Sequence, residues 1–206
     1  MIVEFIFRWF HVLAGIVWIG MLYYFNFVQT EYFKVAEAEA KADAMKKLAP
    51  RALAWFRYGA LVTFLTGLAL LHFTGALKNV EASAVIAVGA LTGTFMFLNV
   101  WLVIWPKQKI VLGMKEGDGP AAAAKAGLAS RTNTLFSGPM LLGMLGAKSP
   151  VFVGTSITGL AAAAGLIILL ELNALFGRMG PMASVVGVVH CSIALAGVVW
   201  ALLAYL

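Results

Sequence analysis

A chain of 206 residues that is 62% hydrophobic and 12% charged, with a mean hydropathy of +0.93, is not made for water as its main solvent, which excludes a soluble globular domain. The formal net charge of +6 raises nucleic acid as a partner, but the basic residues fall in alternate loops between apolar stretches, which is a topology signal and not a nucleic-acid footprint. The lone cysteine, Cys191, excludes an internal disulfide, and the chain has no Cys-x-x-Cys-His sequence to attach a haem covalently.

A helix needs about 20 predominantly apolar residues to cross the hydrocarbon core of a bilayer. Six stretches qualify, at approximately 2–28, 52–74, 82–105, 122–147, 151–176 and 182–206, so the expected fold is all-α: one integral membrane domain, a bundle of about six transmembrane helices. The first stretch carries Arg8 inside it and is too long for a signal core, so it reads as a retained helix. The segment EYFKVAEAEAKADAMKKLAP follows, with charges at helical spacing. It is expected to extend the first helix or pack against it, with Pro50 as its end. The second stretch carries His72 close to its end, and a short loop leads to the third, which carries Asn99. A second basic loop turns at Gly117-Asp118-Gly119-Pro120. The fourth stretch is the least apolar and holds Arg131; the fifth carries Glu171 and Asn173, and the sixth carries His190.

Between the first and second stretches and at the start of the second lie Lys34, Lys41, Lys46, Lys47, Arg51 and Arg57, and between the third and fourth and in the first part of the fourth lie Lys107, Lys109, Lys115, Lys125 and Arg131. Arg178 follows the fifth, whereas the opposite side has only Arg8, Lys78 and Lys148. The positive-inside rule then places both termini outside, in a bacterial-type inner (cytoplasmic) membrane with periplasmic ends.

Ionisable groups within a bilayer are costly and mark function by default. On the outer side, His11 lies three residues after Arg8 and about 5 Å deeper along the helix, and His72 has a similar depth. Two imidazoles at matching depth suit axial ligation of a haem b iron, with His11 and His72 as ligands, His190 as an alternative partner and Arg8 facing a propionate. Gly15 leaves room on the same face. The plainer alternative has His11 bonding a neighbouring helix and His72 facing headgroups. On the inner side, Asn26, Asn99, Glu171 and Asn173 approach the level of Arg131, Thr132 and Asn133. Asn99, Arg131 and Asn133 are the expected binding residues for a small planar molecule, a quinone head or an oxidised purine. The alternative there is structural, with Arg131 paired to Glu171 and the asparagines bridging helices.

The runs RWFHVLAGIVWIGMLYYFNF, APRALAWFRYGALVTFLTGLALL, GALTGTFMFLNVWLVIWPKQKIV and SRTNTLFSGPMLLGML closely resemble the membrane domain of the cytochrome c urate oxidase family, the membrane-bound urate hydroxylases. The likeness touches the first four stretches. It implies a redox membrane protein in which His11 matches the family's first-helix histidine and electrons pass to a cytochrome c, here a separate chain or part of a larger membrane complex. The chain departs from that pattern at Ala87 and Lys148, where the family has histidines. Beside the haem-binding electron-transfer reading stands another, a haem-free accessory subunit of a larger respiratory or oxidase complex.

Overall fold

The computed structural model describes residues 1–76, 78, 83–152 and 155–206. Most of the loop expected after the second stretch, and the beginnings of the third and fifth, lie outside these residues. Among the described residues the chain forms no strand and has six long helices: α1 (Ile2–Val35), α2 (Ala38–Phe73), α3 (Ala84–Val111), α5 (Ile157–Phe176) and α6 (Val185–Tyr205), with α4 (Gly119–Gly146) between the third and fifth. All but α4 are long and apolar enough to cross a membrane.

The helices run antiparallel to their chain neighbours where contacts fix the direction. A Cβ added at Gly59 of α2 would meet Trp18 of α1, and one at Gly67 would meet His11. Likewise Gly89 of α3 faces Gly143 of α4, and Gly159 of α5 faces Leu202 of α6. Helix α4 is the hub, in contact with α1, α3, α5 and α6. Its polar residues Arg131, Thr132, Asn133, Thr134 and Ser137 are all buried, so the surface that makes it poor in hydropathy is turned inward. The apolar core around the bundle includes Trp18, Leu22, Met96, Val100, Ile167 and Val199.

Local chemistry sets the helix starts. Asp118 accepts a hydrogen bond from the Ala121 amide at 3.0 Å, ahead of a proline in the first turn of α4. Ser156 and Ser184 do the same for α5 and α6 through the Gly159 and Gly187 amides, and each cap satisfies one orphan amide of a first turn. The segment expected to extend α1 is shared: α1 runs on to Val35, the chain breaks at Ala36 and Glu37, and α2 begins at Ala38. Pro50 does not end a helix, because α2 continues through it.

The basic-loop end also departs from regular α-helix. Tyr24–Gln29 in α1, Ala44–Leu48 in α2 and Asn99–Ile104 in α3 are wound as π-helix. In each case the closing amide, of Thr30, Ala49 or Trp105, bonds the carbonyl five residues back. Two of the three stop just before a proline, Pro50 or Pro106. Proline lacks an amide donor and clashes with the carbonyl four residues earlier, and a wider turn absorbs that conflict. In α1 the cause is a side chain: Asn26 Nδ2 donates to the Leu22 carbonyl at 2.9 Å and competes for a ladder acceptor. Such turns are rare and gather at functional sites.

Candidate functional site

The π-wound ends of α1, α2 and α3, together with α4, line a partly open cavity of about 280 Å³. Its polar lining is Asn26, Gln29, Thr30, Gln108, Ser130 and Arg131, and Phe25, Phe56 and Ile104 stand among the apolar walls. Phe25 and Phe56 meet edge to face with centroids 5.6 Å apart. Asn26 spans α1 and α4, its Nδ2 donating to Ser130 Oγ at 2.8 Å as well as to its own helix.

Arg131 is 5% exposed. Its Nη1 is shut off from solvent and has no hydrogen-bond partner, and among the described residues Arg131 forms no ion pair. The expected alternative, a bridge from Arg131 to Glu171, is therefore not made. A buried guanidinium without a counter-charge costs several kcal/mol on the order-of-magnitude scale for buried ions. The cavity beside it has room for a small ligand. Gln29 Oε1 is likewise buried and unpartnered in the same cavity.

The other inner residues form a second, separate cluster. Asn99 Nδ2 donates to Asn133 Oδ1 and to Glu171 Oε2, both at 3.0 Å. Asn133 Nδ2 donates to the Met96 carbonyl at 2.9 Å. This network pins α3, α4 and α5 together, and neither asparagine lines the cavity. The expected trio of Asn99, Arg131 and Asn133 is thus divided, because residues two apart on a helix point about 200° apart around its axis. Asn173 belongs to neither group: its amide bonds the backbone of Arg178 and closes the end of α5. Sequence reasoning missed Gln29, Ser130 and Gln108. The i, i+3 spacing of Asn26 and Gln29 was the available signal.

At the opposite end the histidines do not meet. The Nδ1 of His11 lies 2.9 Å from the Thr63 carbonyl and 3.1 Å from Thr66 Oγ1, and a Cβ at Gly67 would fall 3.1 Å from its Cε1. The ring fills the gap that Gly67 leaves in α2. The room expected at Gly15 is taken by Thr63, whose Cγ2 is 3.9 Å from a Cβ built there. Arg8 is engaged by Glu4, one helical turn away. His72 is exposed, with its ring against Phe73, and lies about 140° around α2 from Gly67. His190 is exposed on α6, its Nδ1 held by the Val186 carbonyl at 2.7 Å. No histidine is a partner of another among the described residues.

No curated protein and no solved structure matches the chain. Residues 77–204 match the family model described as urate oxidase N-terminal. That interval takes in α3 to α6 with Arg131 and the Asn99–Asn133–Glu171 network. Of the four runs quoted above it includes the third and fourth, and it reaches beyond them through α5 and α6. Matched over more than half its length, from α3 to α6, the chain belongs to the urate oxidase N-terminal family.

Proposed function

We propose that this urate oxidase-related membrane protein binds a small planar organic anion, urate first among them, in the Arg131 cavity at the basic-loop end, as the substrate site of a membrane oxidoreductase. The observation that carries the reading is the buried, unpartnered Nη1 of Arg131. An enolate-type purine anion supplies the counter-charge and acceptors that the guanidinium lacks, and the Phe25 and Phe56 walls fit a flat ring. By the charge alternation the cavity faces the cytoplasm and both termini lie outside. Electrons taken from the substrate would leave through a separate cytochrome c or a larger membrane complex, as the resemblance implies.

Equilibrium binding of radiolabelled urate to the detergent-purified protein tests the site. Saturable binding is expected, weakened about 30-fold in Arg131→Gln, which corresponds to the loss of a charge-assisted hydrogen bond. The same substitution should raise the melting temperature of the ligand-free protein, since it removes a buried charge that forms no ion pair among the described residues. A folded wild type that binds no urate, or an Arg131→Gln variant that binds it as well, would sink the proposal.

The haem b implied by the resemblance does not find a bis-histidine set in this chain's own residues. His11 suits one axial position: with Nδ1–H given to the Thr63 carbonyl, Nε2 keeps its lone pair. Neither His72 nor His190 stands with it. The separated histidines favour the second reading, a haem-free subunit within a larger complex. The chain purified alone is therefore expected to lack the sharp reduced bands of a six-coordinate b-type haem. A stoichiometric low-spin haem that disappears in His11→Ala would overturn this reading of the outer end.

A further inference from the structure

Four buried side-chain polar atoms among the described residues have no partner: the indole nitrogens of Trp18 and Trp101, Gln29 Oε1 and Arg131 Nη1. The residues that carry the last two, Gln29 and Arg131, line one cavity, and the two atoms are of opposite kind, an acceptor and a donor. An anion without hydrogen-bond donors would satisfy Arg131 alone and leave the carbonyl oxygen of Gln29 unpaired beside a negative charge. Both are satisfied only by a ligand that carries an acceptor edge and, next to it, an N–H or O–H.

We infer that Gln29 is a specificity-determining residue of the cavity, accepting a hydrogen bond from a ring N–H of the ligand while Arg131 holds its anionic edge. The inference rests on the reading of the cavity as a urate-type site. Local structure supports it. Gln29 closes the π-wound segment of α1, and Asn26 in that segment is tied to Ser130, the residue before Arg131. The segment that presents Gln29 is thereby anchored to the helix that presents Arg131. A site with a buried polar group rejects a ligand that leaves the group unpaired far more strongly than an apolar pocket rejects a change of size. The pair would admit cyclic imides and ureides as anions and discriminate against plain carboxylates and against quinones, which carry no N–H.

The test compares two planar anions, urate and benzoate, the second without an N–H donor, on wild type, Gln29→Met and Arg131→Gln, with melting temperatures of the ligand-free proteins as controls. The wild type should prefer urate. Gln29→Met should weaken urate about 10-fold, the loss of a neutral hydrogen bond, leave benzoate unchanged and not lower the melting temperature, whereas Arg131→Gln should weaken every anion the wild type binds. If benzoate does not bind measurably to wild type, the 10-fold urate loss at an unlowered melting temperature supports the inference by itself. Equal loss of both anions in Gln29→Met, a lowered melting temperature, or undiminished urate binding overturns it while the Arg131 site stands. Failure of urate to bind wild type overturns the urate-type reading itself.

Discussion

Gly143→Ala should lower the melting temperature of the purified protein sharply, and Gly143→Val should prevent folding. A Cβ at this position would lie 2.5 Å from the Cα and N of Gly89 and 2.8 Å from the Val85 carbonyl oxygen. These are backbone atoms, so no rotamer change relieves the clash and α3 must move off α4. In lipid the helices gain nothing from hydrophobic attraction between them, and close packing supplies much of what holds them. Overpacking of this kind costs ~1–3 kcal/mol and sometimes more. The displacement would also stretch the Asn99–Asn133 hydrogen bond, which crosses the same pair of helices. Gly165→Ala is the control, since nothing lies within 4 Å of a Cβ there, and it should gain ~0.5–1 kcal/mol from helix propensity. Thermal unfolding followed by circular dichroism in one detergent compares them, and equal behaviour of the two alanine variants would contradict the glycine crossing.

Asn133→Leu should destabilise nearly as much, by ~2–3 kcal/mol, through the buried groups it strands. Asn133 is fully buried and does two jobs, accepting from Asn99 and donating to the Met96 carbonyl. With leucine in its place, one Asn99 N–H loses its acceptor and the Met96 carbonyl loses a side-chain donor. Glu171→Gln is the informative companion: its side-chain oxygen still accepts from Asn99, so its melting temperature should stay close to wild type. If Asn133→Leu unfolds no earlier than Glu171→Gln, the three-helix network contributes little to stability. The Arg131 variants make the contrast sharper, since removal of that buried polar group is expected to stabilise the ligand-free protein instead.

Helix number and order were legible in the sequence because the bilayer imposes one length on every crossing. Position around a helix axis was much less so. Depth along the axis follows from counting residues, and by depth Arg131 belongs with Asn99 and Asn133, and His11 with His72. Azimuth separates both groups, and it depends on which neighbour each face meets. His11 turned to the Thr63 carbonyl and the gap at Gly67, the plainer of the two readings, while His72 pointed away on the same α2. Arg8 had an ion-pair partner in Glu4 that the i, i+4 rule would have named. The three π-wound segments were illegible because two insert their wider turn inside apolar runs and the third, Ala44–Leu48, inside a charged stretch with ordinary helical spacing. They matter for the site, since one of them carries Asn26 and Gln29 and another Asn99. The family likeness was read on the first four stretches, whereas the family match takes in α3 to α6, so the two overlap on α3 and α4.

The placing of α4 at the hub bears on how the chain is made. A newly synthesised helix is tested against lipid one segment at a time, and a central arginine with several polar neighbours weighs against entry by ~2.5–3.5 kcal/mol for the arginine alone. Helix α4 has no lipid-loving face large enough to offset this by itself. Its acceptors and close contacts are on α3, already synthesised, and on α5 and α6, still to come. Membrane insertion of this segment is thus a cooperative event that needs α3 waiting beside it, and truncation after α4 should yield a chain whose fourth segment is poorly retained in the bilayer.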